Sequence, residues 1–129
     1  MKKTQINPWK WQDNFGFSQA WKVDESQSFI FISGQASISA DGLVKHEENF
    51  EEQVRLTFKN LQTVLEQAGA SLENVVKLGV FFVDIEKLPV YGAVQAEFFK
   101  GNMPAQTAVE VSSLALPGMM VEVEAIAVV

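Results

Sequence analysis

The sequence predicts an α+β fold. A mixed β-sheet carries two helices on one face, in the order β-β-α-β-α-β-β, within one domain spanning residues 1–129. Three observations point there. Apolar residues recur at spacings of four and three between residues 50 and 68, as one face of a helix requires. Short runs rich in Phe, Ile and Val flank that helix and a second helical stretch. Two β-α-β crossovers in so short a chain place both helices on the same side of a mixed sheet.

The elements follow in order. FGFSQAWKV, residues 15–23, reads as a first strand, DESQ (24–27) as a turn, and SFIFISGQ (28–35) as a second strand. Asp41-Gly42 signals a turn. In the helix over residues 49–67, Phe50, Val54, Phe58, Leu61, Leu65 and Ala68 share a face, Asn49 is placed to cap the start, and Glu51 and Glu52 suit the positive end of the dipole. Gly69 stands where a left-handed residue ends helices. NVVKLGVFFVD (74–84) is apolar enough for a strand buried on both faces. Pro89 opens a second helix that runs to about Lys100 and stops at Gly101. QTAVEVSSL (106–114) and MMVEVEAIAVV (119–129) are the last strands. One sheet face is then left without helices and lined by large apolar residues, and a monomer rarely exposes such a patch, so self-association is expected to bury it.

Composition excludes several classes. Apolar residues make up 47 % and charged residues 20 % of 129, the balance of an ordinary soluble globular domain. No run approaches the ~18 apolar residues of a membrane span. MKKTQINPWKWQDNF has no apolar run after its lysines, so it does not read as a signal peptide, and the cytosol is the expected compartment. There is no cysteine, hence no disulfide framework, thiol nucleophile or thiolate metal site. A net charge of −6 with no basic cluster argues against nucleic acid as a partner.

In the last strand, side chains alternate. One face carries Val121, Val123, Ala125, Ala127 and Val129, the other Met120, Glu122, Glu124, Ile126 and Val128. Two carboxylates therefore share a face with apolar residues. Either this is a wet sheet edge with solubilising glutamates, or one glutamate lines a half-buried cleft where it orients a water or acts as a general acid or base. Alternation alone leaves both open.

The pieces GFSQA (16–20), SGQ (33–35), EQAGASLENVVK (66–77), FFVDI (81–85), AEFF (96–99), MPAQTAVEV (103–111) and VEVEAIAV (121–128), in this order and spacing, resemble the Rid family, also called YjgF or reactive intermediate deaminases. The resemblance covers nearly the whole chain. It implies a fold like that of chorismate mutase from Bacillus and a homotrimer, with sheets packed inward and helices outside. Small-molecule clefts then lie between subunits. In deaminating members each cleft holds a small 2-imino or enamine acid, water attacks the imine carbon, and ammonia and a 2-keto acid leave without metal or organic cofactor.

By position, the resemblance implies substrate-binding roles for Phe17, Ser33, Gly92 and Gln106, and for Glu122 the catalytic role of orienting the attacking water. Three of these depart from the family pattern. Phe17 stands for a tyrosine of GPYSQA and keeps the ring without the hydroxyl. Gly92 stands for an asparagine. Gln106 stands for the arginine of PARS, whose fork grips a substrate carboxylate through two charge-assisted hydrogen bonds. Hydrogen bonds to charged groups contribute ~1.5–3 kcal/mol each, so the exchange to an amide weakens binding of an imino acid by roughly one to two orders of magnitude or more. Branches without this arginine are generally not good imine deaminases.

Arg55, the only arginine, reads as an outward helix residue rather than a replacement anchor, and Lys100 as a helix C-terminal charge. The only histidine, His46, sits in a polar stretch with no triad spacing. Trp9, Trp11 and Trp21 read as packing of the N-terminal arm on the trimer, with cleft cover as the alternative, and Glu47, Glu48, Glu51 and Glu52 as a solvated helix start rather than a metal site. Three functions follow in order of preference: a Rid-like hydrolase of imines, enamines or related small carbonyl compounds; a trimer that binds a metabolite without turnover; and a ribonuclease, which the acidic charge and the lack of a His/Lys/Arg constellation disfavour.

Overall fold

The computed structural model describes residues 1–101 and 103–129, apart from the side chain of Gln12. In chain order the main elements are β1 (Lys2–Ile6), β2 (Ala20–Asp24), β3 (Phe29–Gln35), α1 (Phe50–Gln67), β4 (Val75–Phe82), α2 (Leu88–Phe98), β5 (Ala105–Glu110) and β6 (Val121–Val128). The α+β class and both helices stand as read from the sequence. The predicted single sheet is instead a four-stranded sheet, ordered β3-β6-β4-β5, and an antiparallel β1-β2 pair. The two meet at one parallel bridge, Ser18 to Ala105. β4 and β5 are parallel, and β6 runs antiparallel to both its neighbours.

β1 was not expected. Its sequence, KKTQI, is polar and mostly exposed, so no apolar alternation announces it. The first predicted strand is also shorter than residues 15–23, because residues 11–14 turn as a 3-10 helix and regular pairing starts at Ala20.

α1 begins at Asn49 as expected: its side-chain oxygen accepts from the Glu52 amide at 3.1 Å. Gly69 follows with φ +76°, a conformation that suits glycine. Val54, Phe58, Leu61 and Leu65 are wholly buried, whereas Ala68 is the exposed C-terminal cap residue. Two polar residues of α1 also face inward. Gln53 donates to Lys45 O and Gly118 O and accepts from the Met120 amide, which ties the chain before α1 to the chain before β6. α2 packs through Tyr91, which meets Phe58 and Phe82 at ring-centroid distances of 5.6 and 5.3 Å.

Both helices cover the face of the sheet formed by Leu78, Val80 and Phe82 of β4 and Val121, Val123 and Ala125 of β6. The opposite face of β4 (Lys77, Gly79, Phe81) is only half-buried within one chain, so burial on both faces is not reached here. That open face also carries Phe29 and Phe31, 61 % and 76 % exposed, and the side chains of Glu122 and Glu124. No helix among the described residues is long and apolar enough to cross a membrane.

Leu61 is sealed between α1 and the sheet, so Leu61→Ala is expected to lower stability by about 2–5 kcal/mol. The check is a urea titration, in which the midpoint should fall with an unchanged slope.

Candidate functional site

β5 enters its strand along a fixed path. Ser18 N donates to Pro104 O at 2.9 Å, the Trp21 indole N–H donates to Met103 O at 3.0 Å, and the Ser18 hydroxyl bonds the same carbonyl. These bonds hold Gln106 in register opposite Leu78 of β4, on the helix-covered face. There the Tyr91 hydroxyl donates to Gln106 Oε1 at 3.1 Å. Tyr91 is fully buried, and burial pushes its phenol well above its ordinary value, so the hydroxyl keeps the proton it donates.

Beside this pair lies a cavity of about 460 Å³, within the range of small-molecule sites. Its wall comes from three places: Asn14 to Phe17 before β2, the Leu88, Pro89, Tyr91, Gly92 and Gln95 side of α2, and Gln106 with Ala108 on β5. Leu88, Tyr91, Gly92 and Gln95 recur at helical spacing, so one side of α2 faces it. Trp11 packs 6.5 Å from Phe17 and 5.9 Å from Phe15, with Trp9 stacked on Trp11 at 6.0 Å. This pair therefore packs on the phenylalanines of the wall without itself lining the cavity. Trp21 is instead tied to Met103 and β1 by its indole N–H and by Lys3, whose ammonium sits 4.7 Å from its ring centroid.

Three of the five sequence-singled residues, Phe17, Gly92 and Gln106, thus come together on one wall. Among the described residues none of the lining side chains is charged. Arg55 points away and pairs with Glu97, Glu51 and Glu52. Its hydrogen bond to Glu97 holds that carboxyl below its ordinary value. Lys100 follows α2 without reaching the cavity, and His46 is an exposed loop residue with φ +57°.

Ser33 and Glu122 are elsewhere. Glu122 pairs with Phe81, which puts its side chain on the open face, whereas Gln106 is on the covered one. Ser33 lies on β3, the opposite edge of the four-stranded sheet from β5, at an irregularity between Ile32 and Gln35. The Glu122 carboxylate folds over Gly34 so closely that a Cβ at residue 34 would collide with it. Glu124 lies over Gly79 in the same way, with its Cγ at 2.9 Å from where a Cβ would be. Glu122 is half-buried and Glu124 exposed, which separates the two carboxylates that alternation alone left equivalent.

Tyr91, Asn14 and Gln95 are cavity residues that the sequence reading did not single out. Gln95 is as buried as the core, yet its Nε2 has no hydrogen-bond partner among the described residues. α2 carries apolar residues on all sides, so periodicity gives no inward face on which to place a glutamine.

The model of the family described as Endoribonuclease L-PSP matches residues 12–129. The chain is 37 % identical over 129 residues to "Protein mmf2, mitochondrial" of Schizosaccharomyces pombe, covering 98 % of each chain. It is 34 % identical to the 2-iminobutanoate/2-iminopropanoate deaminase of Rattus norvegicus over 112 residues, 87 % of this chain and 79 % of that one. Among solved structures, YyfB of Yersinia pestis, described as a protein of unknown function of the conserved Rid family, superposes with a TM-score of 0.90 at 30 % identity over 100 % of both chains.

Among the described residues Gln106 is the acceptor of the buried Tyr91 hydroxyl, so Gln106→Leu should cost about 1–3 kcal/mol. Tyr91→Phe in the same background should recover part of that loss. A double-mutant cycle by chemical denaturation reads the coupling directly.

Proposed function

This chain belongs to the Rid family, also called YjgF, and on that premise we propose that its cavity is one half of a small-molecule cleft that a second copy completes. The observation that carries the reading is the split of the family positions. Phe17, Gly92 and Gln106 line the cavity on the covered face near the β5 edge, while Glu122 sits on the open face and Ser33 on the far edge. One chain does not unite them. A head-to-tail contact, repeated around a closed ring, brings one edge of each copy to the other edge of the next. Three copies, as the family resemblance implies, also cover Phe29 and Phe31. Burying a Phe side chain contributes about 1.5–3 kcal/mol.

In such a cleft Glu122 positions water, Ser33 and backbone groups hold the ligand, and Gln106 meets a neutral or amide-bearing group. The reaction class is hydrolysis of an imine, enamine or related small carbonyl compound, without a cofactor. Efficient turnover of 2-imino acids is disfavoured, because no cation lines the cavity opposite a substrate carboxylate. The uncharged wall equally supports a second reading, a trimer that binds its metabolite without turnover. Ribonuclease action is not favoured: the net charge is −6, and the lining has no His, Lys or Arg. The cytosol remains the proposed compartment.

Two measurements test this reading. With 2-iminopropanoate generated in situ, the native chain should accelerate hydrolysis poorly and Gln106→Arg should gain at least tenfold; rapid hydrolysis by the native chain would defeat the role given to Gln106. No gain in Gln106→Arg would favour the non-catalytic reading. In light scattering the native chain should have the mass of a trimer and Phe31→Asp should be smaller. A monomeric native chain would remove the shared cleft.

A further inference from the structure

Two buried glutamines differ in a way that bears on the ligand. Gln53, on α1, uses its amide fully: Nε2 donates to two carbonyls and Oε1 accepts from the Met120 amide. Such a side chain is part of the scaffold. Gln95, on α2, is 1 % exposed, and its Nε2 has no partner among the described residues. A leucine or methionine would fill the same space without stranding a donor, and folded chains seldom leave such a group unmet. Gln19 Nε2 and Thr57 Oγ1 are also unmet, but neither residue lines the cavity, whereas Gln95 does.

The rest of the wall sets the chemistry. Gln106 already accepts from Tyr91 through Oε1, which leaves its amino group free for a ligand among the described residues. Asn14 adds a third amide. A side-chain amide carries a donor and an acceptor on adjacent atoms, and the edge of a carboxamide or lactam presents the same two groups in reverse. One such edge therefore closes two hydrogen bonds with one glutamine. A carboxylate offers acceptors only and brings a charge that no lining residue balances. An ammonium has no acceptor for the unmet N–H of Gln95. Phe15 and Phe17 give a flat apolar surface for the remainder of the molecule.

We propose that the cavity selects a neutral carboxamide or lactam, with Gln95 and Gln106 as the paired amides that recognise it and Gln95 as the specificity-determining residue. The assignment rests on reading the cavity as the ligand site. It deepens that reading by naming the ligand class and adding a residue at which no family position was carried over.

Benzamide and benzoate differ in charge and in the two N–H donors of the amide but hardly in shape, so they serve as probes for the full-length protein, by calorimetric titration and by tryptophan fluorescence from Trp9 and Trp11. Benzamide is expected to bind at least tenfold more tightly than benzoate. Gln95→Leu is expected to weaken benzamide at least tenfold, to leave benzoate unchanged, and to melt no lower than the native chain, since it removes an unmet buried donor. Gln95→Met is the second variant and should behave alike, which guards against a packing fault peculiar to leucine. Equal or tighter binding of benzoate overturns the proposal. So does benzamide affinity that survives both variants, or no binding of benzamide up to millimolar concentration. The 2-iminopropanoate assay on Gln106→Arg, run beside it, separates the two readings. Activity there with no benzamide binding leaves the cavity a ligand site and removes only the amide assignment, and failure of both removes the amide assignment and the hydrolase reading together.

Discussion

Both helices pack on one face of the four-stranded sheet, and an aromatic contact ties the layers together: Tyr91 of α2 meets Phe58 of α1 and Phe82 of the sheet. Everything else in the molecule is arranged by that asymmetry. Because β6 alternates, Val121, Val123, Ala125 and Ala127 join the helices and its two glutamates are forced to the other side. Because β5 is paired to β4 in register with Leu78, Gln106 goes under α2, where the Tyr91 hydroxyl meets it. The covered face gains a cavity at the rim of the helix layer. The open face keeps two carboxylates and two exposed phenylalanines.

Much of this was legible in the sequence, and the physical reason is periodicity. α1 is long enough for its spacing to be unambiguous, and Asn49 and Gly69 mark its ends by chemistry that acts within a turn. The alternation of β6 fixes which residues share a face. Position-by-position likeness to a family located Phe17, Gly92 and Gln106, and these three do share a wall. What was not legible is of two kinds. β1 is a polar strand held by backbone pairing to β2, and backbone pairing leaves no trace in side-chain pattern. The inward turn of Gln95 depends on how α2 is rotated, and an apolar surface all round a helix does not encode rotation. Nor could alternation tell Glu122 from Glu124, which share a face; the fold leaves one half-buried over Gly34 and the other exposed over Gly79.

The site has a consistent electrostatic character. The chain's single arginine is committed to Glu51, Glu52 and Glu97 on the outer surface, and the cavity wall is built of rings and amides. An amide-lined pocket reads hydrogen-bond pattern rather than charge, so its selectivity depends on geometry and is little affected by salt. That differs in kind from a carboxylate clamp made by an arginine fork, where charge does most of the recognition.

Gly34 sets a different kind of limit. The carboxylate of Glu122 occupies the volume that any side chain at residue 34 would need. Every missense change from glycine adds at least a Cβ, so no such change at residue 34 leaves the glutamate where it is. The pose of that carboxylate is therefore set at two positions, and a substitution at residue 34 moves it even where Glu122 itself is unchanged.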